Sequence, residues 1–330
     1  MSVPLHHHHL SARMEGASHG LEFCLAQESD YEQVLAISTD IYGGLDYLPS
    51  RYHSWLVDKQ RQVLLAKKQD RLVALVSVRL IDDGCTVLVE GLRVAPEDRG
   101  QGIARRIQQH ALDLMKSRFP VLEMYRSVRV GPLSPEVLAK YRLVCQQAVL
   151  LLRFHPEDLW PRLEAAIVRV KDCAGEWEEP VQLEADEMKR LFLDPRVVEA
   201  VLPNGIIIHD WVPYRPLLGN LEALLQLGVT AMADHRTEPT TLSLSSPPYA
   251  IPAGNGHQRL NVDLFGKNYR QARDQLLAHL RALPLYPDPI HCLVYLHPSL
   301  WDPIRSFCGQ QLALRDGRHI DGQKVLEAEL

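Results

Sequence analysis

The sequence predicts an α/β fold built as two mixed-sheet domains. Three observations predict it. The chain has 330 residues, more than one hydrophobic core usually serves. Short strand-like runs alternate with helix-periodic segments along nearly all of it. The element rhythm of the first half returns in the second, with no clear residue-level repeat. Apolar residues make up 46% and charged residues 23%, as in soluble globular proteins. The 36 basic and 41 acidic side chains leave a net charge of −5, which argues against a nucleic-acid binder held by a general basic surface. A local basic pocket for a small anion remains open. No apolar run approaches the roughly 18–20 residues of a membrane span, and Ala148–Leu152, among the longest, is strand-sized.

Residues 1–20 are small, polar and aperiodic, with no apolar stretch typical of a secretory signal. They read as a disordered leader outside the fold, although four adjacent imidazoles at His6–His9 could hold a transition metal weakly. The six cysteines, Cys24, Cys85, Cys145, Cys173, Cys292 and Cys308, include no C-x-x-C pair. They predict buried reduced thiols in a cytoplasmic protein and no metal site.

Residues 21–155 form the first expected domain. Val34, Leu35, Ile37 and Ile41 are spaced as a helix face between Glu28 and Asp40. Gly43, Gly44 and Pro49 make the next stretch a loop, and Ser50–Lys59 a second short helix. Three strands follow at Gln62–Lys67, Arg71–Ile81 and Thr86–Val94, separated by turn residues Gln69-Asp70 and Asp82-Asp83-Gly84. A helix spans Gly102–Phe119 with Ile103, Ile107, Leu112, Leu114 and Met115 on its apolar face. Leu122–Val130 is a strand. Ser134-Pro135-Glu136 starts a helix running to about Leu143, with serine as cap and proline at the first position. Val144–Phe154 closes the domain as a strand.

Residues 156–180 read as a connecting helix and linker, and 181–330 as the second domain. There the expected helices are Ala185–Leu193, Leu218–Leu227, Tyr269–Leu283 and Ser299–Phe307. The expected strands are Val229–Asp234, Thr241–Ser245, Arg259–Phe265, Ile290–Leu296 and Gln310–Leu314.

The stretch with the clearest chemistry is Val89–Ala104, where a strand enters the turn Arg99-Gly100-Gln101-Gly102 and then a helix. Glycines let a phosphate approach the backbone. The first helical N–H groups lack internal partners, and the helix dipole favours an anion there. Arg99 and Arg105 add positive charge. The turn has neither the G-x-G-x-x-G of a dinucleotide site nor the G-x-x-x-x-G-K-[ST] of a P-loop. By its residues it is a phosphate or pyrophosphate site, or a glycine-rich turn with no ligand.

Arg99-Gly100-Gln101-Gly102-Ile103-Ala104 resembles the acetyl-CoA motif (Q/R)-x-x-G-x-(G/A) of the GCN5-related N-acetyltransferases, or GNAT family. The order of elements from Glu28 to Phe154 fits the same fold. A closer resemblance is to the histidine N-acetyltransferases and their near relatives. It rests on Ile41–Leu56, Val87–Pro96, Lys140–Leu143 and Asp210–Pro216, blocks that span both halves. The resemblance implies tandem GNAT-like domains. The second is degenerate, because Gly266–Ala272 lacks the acetyl-CoA pattern.

It also implies acetyl transfer from acetyl-CoA to a small-molecule amine, the α-amino group of L-histidine above all, with no nucleic-acid or membrane partner. Glu90 matches the family's base, acting through water; a structural, partnered carboxylate is the other reading of a lone glutamate in an apolar strand. Tyr141 matches the acid that protonates the leaving thiolate, or else packs against CoA. Backbone N–H groups near Leu92 and Arg93 could stabilise the thioester oxygen. The implied cofactor contacts are Leu92, Arg93, Val94, Arg99, Gly100, Gln101, Gly102, Ile103, Ala104 and Ser134, the last standing where relatives often carry asparagine. The acceptor is expected against the loop 42–52. There Asp46 would pair with a cationic group, and Tyr47 and Tyr52 would stack on a ring. Arg93, Arg126 or Arg129 could hold a carboxylate. Asp210, Trp211, Tyr214 and Arg215 either reach the pocket or pack an interdomain loop. His53 reads as structural. A different amine, or a non-catalytic CoA-binding role, are the alternatives.

Overall fold

The computed structural model describes residues 20–39, 41–172, 177–252, 256–314 and 320–330. The leader with His6–His9, and Cys173, lie outside the described residues.

The first half holds β1 (Leu21–Leu25), α1 (Tyr31–Ile37), α2 (Leu48–Val57), β2 (Arg61–Lys68), β3 (Arg71–Ile81), β4 (Thr86–Val94), α3 (Ile103–Arg118), β5 (Met124–Arg129), α4 (Pro135–Lys140) and β6 (Arg142–Phe154). Then come α5 (Pro156–Asp172), β7 (Val181–Leu183), α6 (Ala185–Leu193), α7 (Pro195–Val201), β8 (Ile207–His209), β9 (Val212–Tyr214), α8 (Leu218–Gln226), β10 (Thr230–Ala233) and β11 (Leu242–Ser245). The rest are β12 (Tyr249–Ala250), β13 (Gln258–Phe265), α9 (Tyr269–Arg281), β14 (Ile290–Leu296), α10 (Trp301–Gln311) and β15 (Ile320–Glu329).

One sheet runs through both halves in the order β1-β2-β3-β4-β5-β15-β6-β14-β13-β11-β10-β7, with β12 on β13. Strands β1 to β4 are antiparallel, β5 joins β4 in parallel, and β13 joins β14 in parallel. The long strand β6 serves both halves. Its beginning pairs β15 and its end pairs β14, from Ala148↔Leu296 to Phe154↔Ile290. Strand β15, from the end of the chain, thus lies between β5 and β6 of the first half. It covers two backbone edges that would otherwise be open to solvent or to another chain.

Helix α3 packs one face of the first-half sheet through Ile103, Ile107, Ala111 and Met115, against Val76, Val78, Val87 and Val89. Helices α1 and α2 cover the other face through Val34, Ile37, Leu48, Tyr52 and Trp55. On that face Ile81 and Leu88 pack against Leu183, Val212, Tyr214 and Leu221 of the second half. Each such side chain withdrawn from water contributes about 2 kcal/mol. In the second half, α5, α9 and α10 form a further core over β6, β13 and β14.

Two expectations change. Gln310–Leu314 is no strand: α10 runs to Gln311, its buried stripe Ile304, Phe307 and Cys308 continuing to fully buried Leu312. The last strand is β15 instead. Helix α4 stops at Lys140, so Tyr141 is its C-cap in extended conformation, φ −128° and ψ 136°. Among the described cysteines, Cys145, Cys292 and Cys308 are buried as expected, whereas Cys85 is half-buried and Cys24, on the edge strand β1, is exposed. Burial pushes the Cys145 and Cys308 thiols up to about 12, which keeps them unreactive. Among the described residues no helix is long and apolar enough to cross a membrane, and no group of acidic, His and Cys side chains is placed to hold a metal.

Candidate active site

Strand β4 bends where it matters. Its partners on β3 run Leu75↔Arg93 and Ser77↔Glu90, so Gly91 and Leu92 together face Val76. This is a β-bulge. Gly91 has φ +67°, and a Cβ there would come within 3.0 Å of the Trp55 ring, so glycine is needed for both conformation and space. The parallel pairing with β5 ends at Val89↔Ser127. From Glu90 onward β4 pairs with β3 alone, and a gap opens beside its backbone.

The turn after β4 is built to stay in one shape. Asp98 is buried; its Oδ1 accepts from Lys68 Nζ at 2.6 Å, and its Oδ2 forms an ion pair with Arg71 Nη2 at 2.8 Å. Burial alone would raise its carboxyl; the bonds from Lys68 and Arg71 outweigh that and hold it below the ordinary value. Gln101 Oε1 also accepts from Lys68, and Arg99 Nε donates to the Val94 carbonyl. Gly100 and Gly102 have φ of +75° and +74°, and a Cβ on either would meet nothing within 4 Å. The first helical bond of α3 runs from Arg106 N to Gly102 O. The N–H groups of Ile103, Ala104 and Arg105 therefore have no partner within the helix, at the positive end of its sixteen residues. The side chain of Ile103 is buried in the core, so only its backbone is on offer. Open space, glycine backbone and free N–H groups fit a CoA pyrophosphate.

Two cavities meet at Glu90. The first, about 760 Å³, follows the gap beside β4 through Leu92, Arg93, Tyr125, Ser127 and Arg129, and reaches Tyr42, Trp211 and Arg259. The second, about 710 Å³, lies between α2 and the second half and is lined by Arg51, Arg61, Arg79, Asp210, Tyr214 and Glu222, among others. Glu90, Tyr47 and Trp211 line both. Glu90 is not alone in its strand: Arg61 Nη1 donates to its Oε1 at 2.5 Å. Arg61 also reaches Ser77 Oγ at 2.6 Å and Asp58 Oδ2 at 3.4 Å, and stacks 4.2 Å from the centroid of Trp55.

The remaining expected residues divide. Tyr47 is at the cavity junction, its hydroxyl pushed up by burial. Tyr214 lines the second cavity and accepts from Arg79 Nη1 at 3.2 Å. Asp46 is spent inside the protein. Its Oδ1 accepts from buried Arg93 at 2.7 Å and from Leu48 N at 3.0 Å, and its Oδ2 is buried without a partner; Asp46 lines neither cavity, so a cationic substrate there would not meet it. Tyr52 is fully buried and donates to the Gln27 carbonyl at 2.7 Å, away from the cavities. Arg126 is likewise removed from substrate, since it is fully buried between Glu327, Asp82 and the Pro213 carbonyl. Ser134 is exposed and caps α4, accepting from Val137 N. Tyr141 is half-buried with its ring 5.3 Å from that of Tyr125 and the Arg129 guanidinium 5.7 Å away. Tyr125 and Arg129 line the first cavity. His53 is exposed, with its Nδ1 3.6 Å from the exposed Glu28, and it lines neither cavity.

Sequence reasoning missed Arg61, Arg79, Tyr125, Arg259 and the hairpin β8–β9. That hairpin turns on Asp210 and Trp211, with φ of 45° and 72°. Left-handed conformation at two non-glycine residues costs on the order of 1 kcal/mol each. It points Trp211 at the junction, where it meets Tyr295 edge-to-face with centroids 5.8 Å apart. Behind it, His209 Nδ1 and Asp263 Oδ2 are 2.7 Å apart and buried. Burial pushes the Asp263 carboxyl up to about 6 despite the opposing histidine.

Known proteins place this architecture. The model of the acetyltransferase (GNAT) family matches residues 31–129, and that of the histidine N-acetyltransferase C-terminal region matches 176–297. A histidine N-acetyltransferase of Scomber australasicus is 40% identical over 317 residues, covering 94% of each chain. A human protein named "Probable N-acetyltransferase 16" is 42% identical over 324 residues, 96% of this chain and 88% of its own. In fold, a tandem GNAT protein from the clavulanic acid biosynthesis pathway covers 94% of this chain and 98% of its own with a TM-score of 0.52, at 13% identity. With family models over both halves and relatives aligned over nearly its whole length, the chain is an acyltransferase and belongs to the histidine N-acetyltransferase family of GNAT proteins.

Proposed function

We propose that the enzyme transfers the acetyl group of acetyl-CoA to the α-amino group of free L-histidine, giving N-acetylhistidine and CoA. The observation that carries this is Glu90 at the meeting of two cavities, beside a bulged strand that leads to a phosphate-shaped turn. The names of relatives near 40% identity supply the amino acid.

The N–H groups of Gly100, Gly102, Ile103 and Ala104, with Arg99, hold the pyrophosphate. The backbone of Leu92, Arg93 and Val94, unpaired on the β5 side, lies along the pantetheine arm. An N–H at Leu92 or Arg93 stabilises the thioester oxygen as negative charge grows on it. Glu90 takes the proton of the acceptor ammonium, directly or through one water. The amine nitrogen then bonds to the thioester carbon, the carbon–sulfur bond breaks, and the sulfur leaves with the electron pair. Tyr141 gives a proton to that sulfur, the second proton leaving the new amide nitrogen restores the tyrosine through water, and the proton taken by Glu90 passes to solvent. Tyr125 is a second reading for this donor, because its own ring lines the first cavity.

Purified protein incubated with acetyl-CoA and a panel of amino acids tests the proposal. Thiol release with histidine and a product heavier by one acetyl group support it. Turnover of another amine with none of histidine would sink the substrate assignment.

A further inference from the structure

The acceptor of this reaction carries a carboxylate beside the amine that reacts. A buried carboxylate needs an opposite charge with unused donors. The arginines around Glu90 differ in this respect. Arg61 is occupied by Glu90, Ser77 and Asp58. Arg93 pairs with Asp46 and its Nε is also buried without a hydrogen-bond partner, but Arg93, like Arg129 and Arg153, lines the first cavity and not the second. Arg259 is occupied by Leu45, Asp210, Asn261 and Tyr295. Arg51 is a third exposed and stacks on Tyr249. Arg79 lines the second cavity with its side chain 14% exposed, and its Nε is buried with no hydrogen-bond partner. The nearest carboxylate, Asp58 Oδ2, stands 3.6 Å from that nitrogen, beyond hydrogen-bond reach.

Placement agrees with chemistry. Ser77 lies opposite Glu90 across the β3–β4 ladder, and Arg79 is two residues further on the same face. Such diagonal neighbours are about 7–8 Å apart at the backbone, so long side chains converge on one small molecule. An α-amino acid presents its amine and carboxylate on a single carbon. A molecule with its amine at Glu90 brings its carboxylate toward Arg79. Arg61 also lies directly opposite Arg79. The two like charges share Asp58, and an incoming carboxylate relieves their repulsion.

We propose that Arg79 binds the α-carboxylate of the acceptor and thereby selects free amino acids over simple amines, with Tyr214 of the second half holding one arm of its guanidinium. This rests on the acetyl-transfer reading above and adds the group that recognises the acceptor.

The test compares L-histidine with histamine, which keeps the ring and the amine but lacks the carboxylate. For Arg79→Gln, the ratio of kcat/KM for histidine to that for histamine should fall about 10–100-fold, the loss of a charge-assisted bond. Arg79→Lys should recover part of that ratio as a point charge without the fork. A parallel fall for both amines, or an unchanged ratio, would overturn the proposal. Should Arg79→Gln fail to fold, Tyr214→Phe, which removes one hydroxyl, should lower the same ratio a few-fold; an unchanged ratio overturns it. If the wild type prefers another α-amino acid, the histidine assignment fails, and the comparison is run with that acid and its decarboxylated amine. A wild type that accepts only amines without a carboxylate overturns the Arg79 proposal itself.

Discussion

Arg61 Nη1 and Glu90 Oε1 form a 2.5 Å ion pair at the one place where both cavities meet. The pair holds the carboxylate in position while its exposed side faces the cavities. Of the two alternatives in the sequence, the partnered carboxylate is what the structure shows; under the proposed function the same residue serves as the base.

Glu90→Gln keeps the shape of the side chain and can still accept from Arg61. It removes the base, so kcat should drop about 10²–10⁴-fold. Acetyl-CoA affinity, measured calorimetrically, should change by only a few-fold. An unchanged kcat would remove Glu90 from the reaction.

Gly102→Ala separates stability from cofactor binding. The left-handed backbone makes alanine cost about 1 kcal/mol in a denaturant melt. The new methyl points into space that the pyrophosphate would use. Acetyl-CoA affinity should therefore fall by at least about tenfold, more than the melt alone suggests. Equal affinity for both proteins would place the phosphates elsewhere.

Trp211 can be removed in two ways. Trp211→Ala and Trp211→Gly both take away the wall between the cavities, and both should raise the KM for the acceptor. The glycine variant should be more stable than the alanine variant by about 1 kcal/mol, because φ +72° suits glycine. Thermal melts and acceptor titrations read the two effects separately.

Tyr141→Phe and Tyr125→Phe each delete one hydroxyl from the same aromatic stack. The true proton donor should show a kcat loss of about 10²-fold or more, since general acid catalysis supplies that much. The other should show little. Equal small losses in both would leave the thiolate to water.

Glu327 ties β15 to β5 and β6 through Arg126 at 2.7 Å and Arg142 at 2.8 Å. Burial would raise its carboxyl, but the hydrogen bond and charge of Arg126, then Arg142, hold it below the ordinary glutamate value. A depressed carboxylate contributes stability that is present above its unfolded value, about 4.3, and lost as the pH falls through the lower folded value. Glu327→Gln should cost about 3 kcal/mol at pH 7, the effect of breaking a buried pair. Its melting temperature should then fall less steeply than that of the wild type between about pH 5 and pH 3. Parallel acid profiles would show that the pair does not govern acid stability.

Legibility followed locality. Strands β3, β4 and β14 and helix α6 match their expected bounds because apolar alternation, turn residues and caps lie within the element itself. The acetyl-CoA turn was readable for the same reason. Strand β15 was not, because Gln323-Lys324-Val325-Leu326-Glu327 shows no clean alternation. Its polar side chains find partners in Gln147, Gly131, Arg126 and Arg142 of the first half. Tyr52 and Asp46 were misplaced on loop chemistry alone. Neither the Gln27 carbonyl nor Arg93, which claim them, is a local neighbour in sequence.

By itself the sequence determined the α/β class, most of the helices and strands, and the strand–glycine turn–helix unit that fits a pyrophosphate. These depend on residue size, polarity and backbone freedom over a few positions. Only the tertiary structure decided that the last strand completes the first half, and that a hairpin of the second half brings Trp211 to Glu90. It alone brought Arg79 and Glu90 to one face as neighbours. Those relations are set by register and by packing between segments distant in the chain, where no local periodicity records them.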